Sequence, residues 1–161
     1  GLPHKNIARL AAALRGISAR LAIIGSFDDD TANALRDNKI EFERVSAATG
    51  DDVLEQYRLA DAVTFFSTFE GFGLPIIEAQ AMGVPVLSNI EPMRSVAGDG
   101  ALFADPLDVD SMRSSIERLI ANDAERESAV AAGRKNIERF RPELIAARYA
   151  EVYRRVAEGS K

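Results

Sequence analysis

The sequence predicts an α/β fold with a doubly wound, Rossmann-like parallel sheet, and three observations support this. Short apolar runs alternate with amphipathic segments along the chain, as strands and helices do in such folds. Residues 61–67 form one continuous, largely apolar run, as a strand covered on both faces requires. Gly71, Gly73 and Pro75 follow it and lead into a helix. Because open α/β sheets bind ligands at the carboxyl ends of their strands, we expect the site there.

Five apolar segments are expected to form the strands. Each is bounded by glycine, proline or polar residues, and in chain order they occupy residues 21–24, 40–45, 61–67, 84–88 and 101–104. Gly25 ends the first strand, and the second alternates only weakly between apolar and polar side chains. The strands are separated by helical segments, which implies parallel pairing through crossover connections.

Amphipathic segments between and after the strands are expected to form the helices. Their apolar side chains recur three and four positions apart, at residues 7–14, 31–36, 51–60, 75–82, 92–97, 108–120, 123–140 and 142–158. Asp51 or Asp52 can cap the third helix, and Asp108 can cap the sixth. Apolar stripes that include Met112 in the sixth helix and Tyr149 in the last are typical of core faces, so we expect both stripes to be buried.

Composition excludes several classes of function. Hydrophobic residues make up 47% of the 161 residues, charged residues 28%, and the net charge of −5 argues against nucleic acid as a partner. With no cysteine and one histidine, we expect neither disulfides nor thiolate or histidine metal sites. No apolar run approaches the roughly 18 residues of a membrane span. We therefore expect a cytoplasmic protein, with peripheral membrane contact through another part of the protein left open.

The turn after the third strand carries the chemistry. Glu70 and Glu78 bracket a Gly-Phe-Gly-Leu-Pro sequence that opens a helix. The N–H groups of Phe72, Gly73 and Leu74 would form an anion site at the start of that helix. Two carboxylates would repel a phosphate, unless the ligand also carries hydroxyls, because a carboxylate can accept hydrogen bonds from a vicinal diol. A ligand with both phosphate and hydroxyls indicates a nucleotide sugar.

This segment resembles the signature of retaining glycosyltransferases of the large group 1 type, in which seven residues separate two glutamates. The flanking blocks at residues 60–62, 81–86 and 98–106 agree with that family, and the similarity extends from about Pro3 to Tyr153. Such enzymes have two Rossmann-like domains, the GT-B fold. The resemblance implies that this chain is the C-terminal, donor-binding half. It also implies transfer of a sugar from a UDP- or GDP-type donor to an acceptor hydroxyl, with retention of anomeric configuration.

The resemblance further implies roles for the residues of the turn. Glu78 would bind the ribose hydroxyls of the nucleotide. Glu70 would contact the donor sugar and act in catalysis by stabilising the positive charge that develops on the anomeric carbon. Gly71 and Gly73 would let the donor approach the backbone closely, beside the amides of the residues that follow them.

Residues outside the turn are implied as well. Lys5 lies where the family places a lysine that neutralises the diphosphate, although its neighbour His4 stands where comparable members have arginine. Val45 and Ser46 are candidate contacts of the nucleobase, although Arg44 replaces a glycine usual beside them. We expect no cofactor and no metal, because a helix N-terminus and a lysine can together stabilise the leaving diphosphate.

The resemblance also implies that a strand and an acceptor-binding domain precede this chain. In the strand order 3-2-1-4-5-6 the first strand is central, and about five buried apolar residues at about 1.5–3 kcal/mol each would contribute roughly 10 kcal/mol. That is comparable to the stability of a whole domain. We therefore expect residues 1–161 to be one domain that binds donor weakly and transfers nothing alone. The acceptor, a glycan, lipid or other hydroxyl compound, would bind the missing N-terminal domain.

Two other functions remain open at this stage. The chain is also compatible with half of a nucleotide-sugar epimerase, whose acid and base would lie on the other half. It is further compatible with a non-catalytic module that binds a nucleotide sugar or a partner protein, which the replacement at His4 favours. The presence of Glu70 favours the enzyme, because a mere nucleotide binder has no need of a second carboxylate.

Overall fold

The computed structural model of the protein describes residues 3–46, 49–89 and 91–159. Its strands are β1 (Arg20–Ile24), β2 (Glu41–Val45), β3 (Val63–Phe65), β4 (Val86–Asn89) and β5 (Leu102–Ala104). Its helices are α1 (Ile7–Leu14), α2 (Asp29–Asp37), α3 (Gly50–Leu59), α4 (Leu74–Met82), α5 (Arg94–Ala97), α6 (Val109–Ala121), α7 (Asp123–Asn136) and α8 (Pro142–Gly159). Two 3-10 helices, Pro3–Lys5 and Ile137–Phe140, precede α1 and α8.

The strands are all parallel and form a sheet in two parts. β1 pairs with β2, from Arg20 opposite Glu41 to Ile24 opposite Val45. β4 lies between β3 and β5 and pairs with both. Within the described residues no hydrogen bonds join the β1–β2 pair to the β3–β4–β5 group. The order within each group agrees with the one that the family resemblance implies, in which a further strand lies between β1 and β3.

Helices cover both faces of the sheet. All four residues of β4 are buried, and neighbouring side chains enter different cores, with Val86 on one face and Leu87 on the other. One core packs α1, α2 and α6 on the sheet and includes Leu35 and Met112; the other packs α3, α4 and α5 around Ile76. This arrangement confirms the predicted α/β class with helices on both faces.

The last helix corrects the sequence-based prediction of the core. Met112 in α6 is 0% exposed, as predicted. Tyr149 in α8 is 60% exposed, Tyr153 is 71% exposed, and α8 has no buried residue. The prediction that this stripe is core was therefore wrong. An apolar stripe shows which face of a helix is suited to burial, but not whether a neighbouring element packs against that face.

No described helix is long and apolar enough to cross a membrane.

Most helix boundaries differ from the predictions by one or more residues, and three of the differences concern α3, α4 and α7. Thr49 caps α3 in place of Asp51 or Asp52, accepting from the N–H of Asp52, whose carboxylate accepts from the N–H of Thr49 in return. The predicted helix over residues 123–140 ends at Asn136, because the chain tightens there into a 3-10 helix. Helix α4 begins one residue before Pro75.

Candidate functional site

The turn between β3 and α4 is built around Gly73. This residue caps α4 in the left-handed region, at φ 93°. A Cβ atom there would lie 2.7 Å from the sulfur of Met93, so both the backbone conformation and the packing require glycine. Gly71 differs, since an added Cβ would have no neighbour within 4 Å. The fold therefore accounts for Gly73, whereas the space above Gly71 is left for a ligand or solvent.

The first residues of α4 offer unpaired backbone donors. The N–H of Ile76 bonds to the carbonyl of Gly73 at 3.0 Å. By contrast, the N–H groups of Phe72, Gly73 and Leu74 meet no hydrogen-bond acceptor among the residues that the structure describes. Pro75, at the second helical position rather than the predicted first, has no N–H to satisfy. Three adjacent donors at the positive end of a helix have the properties of an anion site.

Lys5 and Glu70 form an ion pair at this turn. The ammonium nitrogen of Lys5 lies 2.6 Å from Oε1 of Glu70, and the two side chains are 39% and 16% exposed. Burial raises the pKa of Glu70, but hydrogen bonds from Lys5 and Ser67 and the charges of Lys5 and His4 outweigh it, so the pKa lies below its ordinary value. Glu70 is therefore held as a carboxylate at neutral pH. The structure thus joins the candidate diphosphate and sugar residues directly.

Asn6 places Lys5 beside the turn, and the sequence analysis missed this role. Asn6 is 5% exposed and adopts the left-handed conformation that asparagine tolerates better than most residues. Its side-chain amide donates to the carbonyl of Phe66 at 3.1 Å and of Pro106 at 2.6 Å, which lie beyond the ends of β3 and β5. The only signal in the sequence was an asparagine before an apolar helix, which indicates an ordinary cap.

Glu78 is held by a different partner. It lies on the exposed side of α4, and its Oε2 accepts a hydrogen bond of 2.7 Å from the hydroxyl of Tyr57 in α3. Tyr57 is 6% exposed. Burial, and then the hydrogen bond to Glu78 and its charge, raise the pKa of Tyr57 well above the ordinary value. Tyr57 therefore stays a hydrogen-bond donor across the working pH range. The amphipathic pattern of residues 51–60 predicts only that this helix turns one face inward.

The candidate nucleobase contacts lie on the other part of the sheet. Val45 ends β2 and is half-buried, and Ser46 is exposed. Arg44 donates to the carbonyl of Phe27 at 2.7 Å, with its guanidinium 4.6 Å from the centre of that ring. Residues 47–48 lie outside the described part of the chain. A role of Val45 and Ser46 at the base stays a prediction.

Acidic side chains do not gather into a metal centre in the described ranges. No group of three or more histidine, aspartate or glutamate side chains there is arranged to hold an ion. Lys5 and the helix terminus both contribute positive charge at the turn.

Comparison with known proteins identifies the family. Residues 2–136 match the family described as Glycosyl transferases group 1. This chain belongs to the group 1 glycosyl transferases. The matched range includes every candidate site residue and ends before α8, so the assignment confirms the resemblance seen in the sequence.

Two relatives of this chain are mannosyltransferases by name. O-antigen chain mannosyltransferase B of Escherichia coli is 41% identical over 91 residues, which are 56% of this chain and 24% of that protein. Phosphatidyl-myo-inositol mannosyltransferase of Mycobacterium leprae is 28% identical over 171 aligned positions, covering 99% of this chain and 46% of that protein. The chain thus spans less than half the length of these relatives.

A solved structure agrees with the fold of this glycosyl transferase. Sucrose-phosphate synthase of Thermosynechococcus elongatus superimposes with a TM-score of 0.84 at 22% identity, over 98% of this chain and 43% of that one. At this identity the likeness concerns the fold alone. It confirms the α/β class, in the arrangement of GT-B glycosyltransferases.

Proposed function

We propose that this chain binds the nucleotide-sugar donor of a retaining glycosyl transferase. The observation that carries the proposal is the turn at α4, where unpaired amides, the Lys5–Glu70 pair and the Glu78 carboxylate belong to one strand–helix junction and its neighbours. A nucleotide sugar has a diphosphate between two polyols. A cationic centre flanked by two carboxylates complements that order of groups.

Each group would have one task in transfer. The amides of residues 72–74 and the ammonium of Lys5 would bind the diphosphate and stabilise the negative charge that develops as it leaves. Glu78 would accept hydrogen bonds from the ribose hydroxyls. Glu70, kept ionised by its surroundings, would face the sugar and stabilise positive charge at the anomeric carbon. No step in this scheme requires a metal ion.

The diphosphate would share Lys5 with Glu70. Without donor, the ammonium of Lys5 pairs with Oε1 of Glu70 at 2.6 Å. With donor, the ammonium can contact both a phosphate oxygen and Glu70, because it has three donors. The pair therefore keeps both charges placed before the donor arrives, which is the preorganisation that electrostatic catalysis needs.

The acceptor would be a glycan, lipid or other hydroxyl compound, bound by an N-terminal domain as the family resemblance implies. Because two relatives are mannosyltransferases by name, a mannose-carrying donor is the first candidate for the transferred sugar. On this proposal the chain alone binds donor and transfers nothing.

A calorimetric panel tests the proposal. The protein is titrated with UDP, GDP and ADP, with their sugars, and with uridine, guanosine and adenosine. We expect one diphosphate series to bind at least about 10-fold more tightly than its nucleoside, since charge-assisted hydrogen bonds contribute about 1.5–3 kcal/mol each. Equal affinity for nucleoside and diphosphate would contradict the anion site at α4.

A further inference from the structure

Tyr57 is a buried residue whose polar atom reaches the donor site. Its ring belongs to the core around Ile76 and Val86, which fixes the position of the hydroxyl. That hydroxyl donates to Oε2 of Glu78 at 2.7 Å. Glu78 is itself on the exposed side of its helix, where a glutamate without a partner would sample several rotamers. The buried phenol therefore orders an exposed carboxylate.

The helix that carries Tyr57 is closed at its own start. α3 starts at Gly50, and its first turn is closed by reciprocal hydrogen bonds between Thr49 and Asp52. Tyr57 lies two turns further along and bonds to α4. The cap at Thr49 and the carboxylate of Glu78 thus contact the same helix.

We propose that Tyr57 is a positioning residue for the donor ribose. The hydroxyl of Tyr57 occupies Oε2 of Glu78, so that Oε1 is presented to the ribose diol. The inference rests on the proposed function, in which Glu78 binds the ribose. A carboxylate has about four acceptor positions, so one bond from Tyr57 leaves room for both ribose hydroxyls. Burial and the neighbouring carboxylate raise the pKa of the phenol, so its hydroxyl remains the donor of this hydrogen bond at neutral pH.

The test compares ribose and 2′-deoxyribose ligands. Affinities of the protein for UDP, 2′-deoxy-UDP, GDP and 2′-deoxy-GDP are measured by calorimetry, in the wild type and in Tyr57→Phe. We expect Tyr57→Phe to weaken the preferred ribonucleotide by about 3- to 15-fold, because the ordering of a glutamate side chain must then be supplied on binding. The ribose preference, which is the ratio of the affinities for a ribonucleotide and for its 2′-deoxy form, should fall as well. The affinity for the 2′-deoxy ligand should change little.

If Tyr57 had only a structural role, Tyr57→Phe would lower the affinities for the ribose and 2′-deoxyribose ligands equally and leave the ratio of the two affinities unchanged. Tyr149→Phe is the matched control, because Tyr149 is exposed in α8 and distant in sequence from the site. It should leave both affinities unchanged. Glu78→Asp is a second variant, and it does not alter the core. Its side chain is one methylene shorter, so the carboxylate is withdrawn from Tyr57. We expect this variant to lose the ribose preference.

Glu78→Ala distinguishes the positioning role of Tyr57 from the ribose contact of Glu78 in the proposed function. If Glu78→Ala abolishes the ribose preference while Tyr57→Phe and Glu78→Asp retain it, the positioning role is overturned and the proposed function stands. If Glu78→Ala retains the preference, the ribose assignment in the proposed function fails, and the role of Tyr57 fails with it. Loss of the preference in all three variants supports both.

Discussion

At the residue scale, the two glutamates of the turn have different surroundings. Glu70 is partly buried and paired with Lys5, whereas Glu78 is exposed and bound by a neutral phenol. A carboxylate beside a cation has its charge compensated, but one beside a tyrosine retains its charge for the ligand. This difference favours separate roles for the two, rather than one shared role in binding a single group.

Substituting each glutamate should separate binding from turnover. We expect Glu78→Ala to weaken nucleoside diphosphate and donor alike by about 30- to 1000-fold, from the loss of roughly 2–4 kcal/mol of ribose hydrogen bonds. Glu70→Ala should leave nucleoside diphosphate affinity nearly unchanged and lower turnover, since its contacts strengthen in the transition state. Calorimetry and turnover numbers, measured in an enzyme that includes the acceptor domain, decide between these effects. The reverse pattern would show that the two roles are exchanged.

The two glycines of the turn provide a second matched pair. Gly73→Ala should lower the free energy of unfolding by about 1–3 kcal/mol, because alanine is strained at this positive φ and its Cβ meets Met93. Gly71→Ala should change stability by less than about 0.5 kcal/mol, since its Cβ meets nothing, but should weaken donor binding. Urea unfolding and calorimetry test both. A loss of stability in Gly71→Ala equal to that in Gly73→Ala would remove the ligand-based explanation of Gly71.

At the scale of elements, a buried polar network anchors α4. The side-chain amide of Gln80 donates to the carbonyls of Ala97 and Gly100 at 2.9 and 3.0 Å, and its Oε1 accepts from Asn136 at 2.8 Å. Asn136 also donates to the carbonyl of Val96 at 2.8 Å. The network joins α4 to the end of α5 and to α7. It therefore fixes the helix whose first turn carries the candidate anion site.

Removing the centre of this network should be costly. Gln80→Leu preserves the approximate volume but leaves the Ala97 and Gly100 carbonyls and the Asn136 amide without this partner, so we expect a loss of about 2–4 kcal/mol in the free energy of unfolding. Gln56→Leu, at a half-buried position of α3, is the control and should stay within about 0.5 kcal/mol of the wild type. Denaturant unfolding measures both, and comparable values for the two variants would exclude an anchoring role.

At the scale of the whole molecule, the described strands form two hydrogen-bonded groups, and the family resemblance places a further strand between them. The described strands form β2-β1 and β3-β4-β5, without pairing between β1 and β3. Ile24 at the end of β1 is 43% exposed, which is unusual for an interior parallel strand. We propose that a further parallel strand pairs with both β1 and β3 in the complete protein, as the family resemblance implies.

Supplying such a strand should stabilise the domain. We expect that fusing the corresponding strand segment of a group 1 relative to the N-terminus raises the free energy of unfolding by several kcal/mol, with roughly 10 kcal/mol as the upper limit for about five buried apolar residues. The control is the same segment with its apolar residues replaced by serine. Urea unfolding measures the free energy of unfolding of the two fusions. Equal values would contradict the proposal that a strand is missing between β1 and β3.

The sequence by itself determined the α/β class, the turn at Gly71–Pro75 and the burial of Met112. These features depend on local periodicity and on residue types whose backbone preferences act within a few positions. The family was also identifiable from the spacing of the two glutamates and from the flanking blocks, and the comparisons confirm it. The roles of Glu70 and Glu78 stay predictions. The cap at Thr49 was equally local, but the two aspartates that follow it obscured it.

Only the tertiary structure decided which groups meet. Lys5 contacts Glu70 across 65 positions, Asn6 contacts Pro106 across 100, and Tyr57 contacts Glu78 across 21. The periodicity of a segment shows which side of it turns inward, but the partner on that side depends on how distant elements pack. For the same reason the stripe of α8 resembled a core face and proved to be exposed, because the element that would cover a helix is not encoded within that helix.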